Sequence, residues 1–292
     1  MIILCITAIV YIALFYKDYL DEYVIYWLYL VALISILLQL MYFRYDSERI
    51  VLSVIDPNFS SLYMLLFFYM CSKKKLWIGI VLSIFCLFLF QSRNYFLAIA
   101  VFCFVSCFKS KFQYFFTKYN SLFFWLILLN IFLLIVSFSW VHYGIGKEGK
   151  YEHGVERLVQ FVGKSNYKRF KANVDFVNYG AQHFVPFMMG AGNLKEKIGK
   201  TDLLEDFSHV PHNATIHLIL SNGLLFTFFY LLYLSRLIKP FFNFENLEYI
   251  ISYIVFSLFL HGGFVGTEVI MLFFILMMKK SNKPVAVVNK AF

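Results

Sequence analysis

Long apolar runs without a charge are the feature that most constrains this chain. The run from Trp125 to Val141 contains no charged residue, and runs approaching 20 apolar residues are typical of membrane-spanning helices. Overall, 61% of the residues are hydrophobic and 15% are charged, whereas a soluble domain is about half apolar and a quarter charged. The sequence therefore predicts an all-α, polytopic membrane helix bundle.

Nine apolar segments divide the chain. They cover residues 2–16, 23–43, 59–72, 76–90, 94–108, 122–141, 214–235, 249–261 and 265–278. We expect about nine transmembrane helices, in a single integral membrane domain over residues 1–292. Several segments are shorter than the ~20 residues of a full span, so these helices are expected to be tilted, re-entrant or longer than the apolar run itself.

Basic residues cluster at alternate ends of these segments. They are Lys73, Lys74, Lys75, Lys109, Lys111, Lys118, Arg236, Lys239, Lys279 and Lys280. The positive-inside rule makes that side cytoplasmic. Residues 142–213 then form one long loop on the outer, periplasmic face, where we expect any chemistry to lie. The same clusters account for the net charge of +9, which therefore does not indicate nucleic-acid binding.

The chain lacks the patterns that hold metals or disulfides. All five cysteines lie in or at the edge of apolar segments, which gives no disulfide framework and no thiolate site. His209, His212 and His217 are spaced by three and five residues, and no carboxylate completes a zinc motif. We expect no metal and no cofactor.

Arg93 interrupts an apolar stretch, in the sequence Gln91-Ser92-Arg93-Asn94. A charged residue near membrane depth usually faces a cavity or a partner, and a guanidinium suits bidentate contact with phosphate oxygens. Arg93 is therefore a candidate anion-binding residue. The alternative is an outer turn whose arginine extends to the lipid headgroups.

The long loop carries a basic stretch from Arg157 to Lys171 with no acidic residue. Its cations are Arg157, Lys164, Lys168, Arg169 and Lys171. Either this stretch is an amphipathic helix on anionic lipid, or one or two cations reach towards a phosphorylated lipid. Gly190-Ala191-Gly192-Asn193 follows and allows a tight turn. It lacks the strand and helix context of a phosphate-binding loop.

The loop ends at His212 and Asn213, where the next apolar segment starts. Pro211 suits a helix start and Ser208 an N-cap, which places His212 in the first turn, at the membrane–water boundary. A neutral imidazole there suits a general base near pH 7; the alternative is a capping or interface histidine. Asn213, His217 and Ser221 follow helical spacing, so we expect this polar stripe to face the bundle interior.

Four segments of the chain resemble motifs of the bacterial O-antigen polymerase and O-antigen ligase family. They are, in chain order, Asp56-Pro57-Asn58; Ser92-Arg93-Asn94-Tyr95-Phe96-Leu97; Arg169 with Pro186 and Gly190-Ala191-Gly192-Asn193; and His212-Asn213 with Leu218 and Asn222-Gly223-Leu224. They are similar to the family's D/N-P-N, S-R-x-x-x-L, R…P…G-x-G and H-N-x-x-L…G-L patterns. The chain departs from the family in having fewer helices before Asp56, and in carrying Asn222 where the family has an acidic residue.

The resemblance implies a GT-C-like membrane glycosyltransferase that needs no metal. It would polymerise undecaprenyl-pyrophosphate-linked oligosaccharide repeat units on the outer face of the bacterial inner membrane, alongside a chain-length regulator and a flippase. Arg93 and Arg169 would hold the pyrophosphate, and His212 would take a proton from the attacking sugar hydroxyl. Asn213 and His217 would contact the sugar or support the site, and Arg157 would bind substrate as one of the basic-stretch cations that reach towards the lipid phosphate.

Other functions fit parts of the same pattern. An O-antigen ligase would pass the glycan to a lipid A core and differs only in its acceptor. A transporter or flippase of a polyprenyl-linked glycan would use Arg93 and the basic loop for binding and needs no base. A non-catalytic membrane assembly protein would use the histidines only for capping or packing.

Overall fold

The computed structural model describes residues 22–46, 49–52, 57–118, 122–148, 162–192, 213–259, 264 and 267–278. These residues are mostly helical and form an all-α protein with one small hairpin. The predicted apolar segment 2–16 lies outside the described residues. The chain divides into two compact units, one made of Met1–Ile99 with Thr267–Phe292 and the other of Ala100–Gly266.

Twelve helices occur within the described ranges. They are α1 (Glu22–Met41), α2 (Pro57–Lys74), α3 (Trp77–Phe90), α4 (Arg93–Cys107), α5 (Lys109–Lys118), α6 (Leu122–His142), α7 (Lys164–Gln182), α8 (Phe184–Met189), α9 (Ala214–Asn222), α10 (Leu224–Ile238), α11 (Leu247–Leu258) and α12 (Thr267–Met277). A 3₁₀ turn, Lys239–Phe241, follows α10. The hairpin pairs β1 (Arg44–Asp46) with β2 (Arg49–Val51) in antiparallel register.

In the first unit, α2 is the helix on which its neighbours pack. Gly79 of α3 has no side chain, and a Cβ there would overlap the Cys71 sulfur of α2, so the two helices approach closely. Lys73, at the end of α2, is fully buried. Its ammonium donates to the carbonyl oxygens of Ile275 and Leu276 at 2.9 and 3.0 Å. These carbonyls lie in the last turn of α12, where the usual intrahelical donors run out. The Met278 amide also donates to the Ile275 carbonyl, so Lys73 and this amide together cap α12.

In the second unit, a buried ion pair joins the starts of α5 and α11. The Lys109 ammonium lies 2.8 Å from Glu248 Oε1 and 2.6 Å from Oε2, and it also lies over the Phe244 ring, 4.7 Å from its centroid. Removing one partner of a buried pair leaves the other charge desolvated. The pair therefore fixes the α5–α11 contact.

Within the described residues, two helical stretches are long and apolar enough to cross a membrane, Phe123–His142 and Leu224–Phe241. Only 11% of the first window is buried inside the protein, whereas the core helix of a soluble protein is mostly buried. Five further apolar helices have 10–17 residues. Membrane association is thus supported for α6 and α10, while the nine spans and the periplasmic position of the loop stay predictions.

The apolar segment 214–235, predicted to be one helix, forms two. The helix breaks at Gly223, whose φ of 88° and ψ of 160° lie outside the helical region. A Cβ at Gly223 would overlap the backbone of Met188 and Met189. The prediction of a single helix is wrong here because the break depends on a tertiary contact with a segment more than 30 residues earlier, and hydropathy alone does not show it.

Candidate functional site

The predicted site residues fall into three groups. Arg93 begins α4 in the first unit, while Arg169 on α7 belongs to the second unit together with Asn213 and His217. Asn213 caps α9, and His217 lies within that helix. His212 and Arg157 lie outside the described residues. His209 and Asn193 also lie there, as does Asp56 of the first resembling motif.

Arg93 lies at a sharp connection between two helices. Gln91 ends α3 in the left-handed conformation, with φ 47° and ψ 41°, and α4 starts two residues later. The Ser92 hydroxyl lies 3.5 Å from the Tyr95 amide nitrogen, as in an N-cap. Arg93 itself is only 8% exposed. Such burial fits an arginine that faces a protein cavity or partner, and argues against one extended to the headgroups.

Asn213 is the N-cap of α9. Its backbone is extended, with φ −140° and ψ 121°, and its Oδ1 accepts from the amides of Thr215 and Ile216 at 2.9 and 3.1 Å. The cap satisfies two of the amides that a helix N-terminus leaves without an intrahelical acceptor. The predicted start at Pro211 with a Ser208 cap is therefore wrong, because an extended residue at 213 cannot continue a helix from Pro211.

The other end of the Asn213 amide reaches a predicted membrane helix. Its Nδ2 donates to Asn130 Oδ1 of α6 at 3.3 Å, and the whole residue is only 2% exposed. Since Oδ1 already accepts two bonds, one N–H of the amide is left for any further contact. The predicted sugar contact by Asn213 stays a prediction, and it is limited to that one donor.

Arg169 is carried by a helix that packs on α6. Asn173, one turn after Arg169 on α7, donates from Nδ2 to Ser137 Oγ of α6 at 3.0 Å. The rings of Trp140 and Phe170 also pack together across the two helices, with centroids 5.0 Å apart. The basic stretch is thus partly an amphipathic helix, as one of the two sequence interpretations expected, but its buried face rests on protein.

Some polar groups in this region keep hydrogen-bonding capacity. Among the described residues, Trp140 Nε1, Asn173 Oδ1 and Thr215 Oγ1 are buried atoms that make no hydrogen bond. They supply one donor, one acceptor and one hydroxyl. A water molecule or a sugar hydroxyl, which can both donate and accept, is able to hydrogen-bond with each of them. The contacts of α6 with α7 and with the start of α9 therefore contain a row of buried polar groups within otherwise apolar packing.

The Gly190-Ala191-Gly192 segment is docked on the α9–α10 break and does not form a phosphate cradle. Its three successive amides donate to the carbonyl oxygens of Pro186, Leu220 and Ser221, at 2.7, 2.7 and 3.0 Å. Gly190 has φ 94°, and a Cβ there would lie 2.6 Å from the Gly223 nitrogen. With all three amides used within the protein, no nest of N–H groups remains in this segment for an anion.

Apolar packing supports this docking. The cluster consists of Phe176, Tyr179, Ala191, Ile216, Ile219 and Leu220. It joins α7, the glycine segment and α9 into one body. Burial raises the pKa of the Tyr179 phenol, so this side chain stays neutral at physiological pH.

The first unit contains an apolar cavity of about 570 Å³ between α1, α2 and α12. Among its lining residues are Leu28, Ile36, Tyr63, Phe67 and Phe274. A cavity of this size and polarity suits a hydrocarbon chain. Within the described part of the chain, no cluster of three or more histidines, cysteines or carboxylates is placed to hold a metal ion.

Comparisons with protein-family models, curated proteins and solved structures found no match to this chain. The family resemblance therefore rests on the four sequence motifs. Two of them meet in the second unit, since the glycine segment of the third motif is bonded to the helix that carries the fourth.

Sequence reasoning missed Asn130, Ser137 and Asn173. A signal for the first two exists, because they lie seven residues apart in a charge-free run. That spacing puts two polar side chains on the same face of a helix. Asn173 has no comparable local signal in the sequence.

Proposed function

We propose that this protein is a membrane glycosyltransferase that polymerises undecaprenyl-pyrophosphate-linked oligosaccharide repeat units on the outer face of the bacterial inner membrane. The observation that carries the proposal is the joining of two resembling motifs, which residues 194–211 separate in sequence, into one bonded unit. The amides of Ala191 and Gly192 donate to carbonyl oxygens of α9, and Gly190 lies against Gly223. Motifs that serve one site are expected to meet in the fold.

The proposed reaction needs a base and a neutralised leaving group. His212 takes the proton from a sugar hydroxyl, and that oxygen attacks the anomeric carbon of the donor sugar. The bond from the anomeric carbon to the pyrophosphate oxygen breaks, and undecaprenyl pyrophosphate leaves with the bonding electrons. Arg93 and Arg169, the two residues that the family resemblance assigns to the pyrophosphate, would stabilise the charge that builds up on it, which is the role a metal ion has in other transferases.

Two structural features support a lipid-linked anionic donor. The side chain of Arg93 lies inside protein, where a cation attracts an anion more strongly than it does in water. The apolar cavity between α1, α2 and α12 has room for part of an isoprenoid chain. The same two features favour a transporter or flippase as the second candidate, because that function requires binding but no base. An O-antigen ligase shares the whole mechanism and differs in its acceptor.

The experiment that tests the proposal is a size ladder of surface glycan in a host strain that lacks the chromosomal gene. The strain carries either the wild-type protein or His212→Ala, with membrane amounts matched by an epitope tag. We expect His212→Ala to leave single repeat units only. His209→Ala, three residues away and without an assigned role, serves as the matched control and should give the wild-type ladder.

Two other outcomes would change the proposal. A wild-type ladder from stably expressed His212→Ala contradicts the catalytic role of this histidine. If repeat units still reach the outer face in His212→Ala but fail to do so in Arg93→Ala, the transporter is favoured.

A further inference from the structure

Two polar side chains of α6 face the long loop. Asn130 and Ser137 are seven residues apart in a window with no charged residue, which on a helix is two turns, or about 10 Å along the axis. Polar side chains in a membrane helix usually turn towards another part of the protein, because lipid offers them no hydrogen bond.

Asn130 holds the start of α9. Its Nδ2 donates to the Leu126 carbonyl of its own helix at 2.8 Å, and its Oδ1 accepts from Asn213 at 3.3 Å. The orientation of both amides follows from the cap. Asn213 Oδ1 accepts the two α9 amides, so its nitrogen must face Asn130, and Asn130 must present oxygen.

Ser137 holds α7 in the same way. Its hydroxyl donates to the Leu133 carbonyl at 2.7 Å and accepts from Asn173 at 3.0 Å. Asn173 lies four residues after Arg169, on the same stripe of α7. One helix therefore bonds to both elements that carry candidate substrate contacts.

Ser139 shows what a polar side chain on the outer face of the same helix does. It is exposed, and its hydroxyl donates to the Ile135 carbonyl of α6 at 3.0 Å. It thus bonds within its own helix, whereas Asn130 and Ser137 also bond to other elements.

Apolar packing alone leaves the register between two helices weakly defined. Ridges and grooves of aliphatic side chains repeat about every turn, so a slip of one turn, about 5 Å, restores similar contacts. A hydrogen bond is directional and specifies one of these registers. Such a bond adds little to the overall stability of the protein, but it is enough to favour one of two otherwise similar packings.

We propose that Asn130 and Ser137 are positioning residues, which hold α9, with Asn213 and His217, and α7, with Arg169, in one fixed register along α6. The inference deepens the proposed function and rests on it. The two elements must present their side chains to the same donor sugar pyrophosphate, and a slipped register leaves each element folded while its contacts no longer converge.

The test uses purified protein in vesicles of phosphatidylethanolamine and phosphatidylglycerol. Its substrate is the lipid-linked repeat units extracted from the host strain that lacks the gene. Asn130→Ala and Asn213→Ser remove the same hydrogen bond, and the Asn213→Ser variant should still cap α9, since serine caps as well as asparagine. We expect Asn130→Ala to lower kcat about fivefold, which corresponds to about 1 kcal/mol, with KM within a factor of two, and Asn213→Ser to lower kcat at least as much. The double variant should lose no more than Asn213→Ser alone.

Ser137 gives a second arm with a conservative rescue. Ser137→Ala should lower kcat by a similar factor, and Ser137→Thr, which keeps the hydroxyl, should restore it. Ser139→Ala is the matched control on the same helix and should match wild type. Rates are compared per molecule of monodisperse protein, so a loss of folded material does not count as a loss of kcat.

Wild-type kcat in both Asn130→Ala and Ser137→Ala would overturn the inference. Losses of kcat that add up in the double variant of Asn130 and Asn213 would overturn it too, as would a lower melting temperature with unchanged kcat. The proposed function fails separately, if His212→Ala retains wild-type kcat. If His212→Ala is inactive while Asn130→Ala and Ser137→Ala are fully active, the positioning role is contradicted and the proposed function is not.

Discussion

Asn213 uses the two ends of its amide for two different contacts. The oxygen caps α9, and the nitrogen reaches Asn130 on α6. Local signals such as Pro211 and Ser208 predicted the start of α9 too early. The sugar contact that the family resemblance implies for Asn213 stays a prediction. Which of several capping residues is used depends on where the backbone becomes extended, and that is decided by the packing of α9.

Arg93 gives a prediction at the scale of a single residue. We expect Arg93→Lys to lower polymerising activity at least tenfold, because lysine keeps the charge but loses the planar pair of donors that matches a phosphate. The measurement is the rate of repeat-unit addition in membranes that contain equal amounts of protein. Arg236→Lys, an exposed arginine in the last turn of α10, is the control. Full activity in Arg93→Lys would exclude bidentate binding of pyrophosphate.

At the scale of elements, hydropathy located the helices well. Each predicted apolar segment that falls on described residues coincides with one helix or, in the case of 214–235, with two. Apolar runs predict helices reliably because burial from water and internal hydrogen bonding act on the whole run. The Gly223 break was not predictable in the same way, since its cause is the backbone of Met188 and Met189, which are distant in sequence.

A glycine can be required by a positive φ, by a close approach of other backbone atoms, or by both. Gly223 and Gly144 both have a positive φ, 88° and 62°. A Cβ at Gly223 would overlap the Met188 and Met189 backbone, while a Cβ at Gly144 would meet no atom of the described residues within 4 Å. We expect Gly144→Ala to cost about 1 kcal/mol for its backbone conformation. Gly223→Ala should cost about 1–3 kcal/mol more, because its φ of 88° and ψ of 160° are nearly restricted to glycine and the docked segment must also move.

The measurement is the melting temperature of each variant in the same detergent. Equal shifts for Gly144→Ala and Gly223→Ala would contradict the close docking of the glycine segment on the α9–α10 break.

For the whole molecule, the proposed reaction requires one defined orientation of the protein in the membrane. We expect the long loop of the second unit to lie on the outer side of the membrane and the turn after α10 to lie on the cytoplasmic side. We expect an impermeant maleimide to label Lys164→Cys in intact spheroplasts of a cysteine-free variant. Asn243→Cys should be labelled only after the membrane is opened. Both side chains are exposed, so accessibility within the protein is matched. Labelling of Asn243→Cys in intact spheroplasts would reverse the orientation and place the loop in the cytoplasm.

We propose that this chain joins lipid-linked repeat units without a metal ion. The most direct measurement is elongation by the purified protein in vesicles, with extracted undecaprenyl-pyrophosphate-linked repeat units as the only substrate and a strong chelator present. We predict a ladder of lipid-linked oligomers and release of undecaprenyl pyrophosphate in step with each added unit, and neither with His212→Ala. Unchanged single repeat units with the wild-type protein, or a ladder that disappears when the chelator is added, would contradict the account.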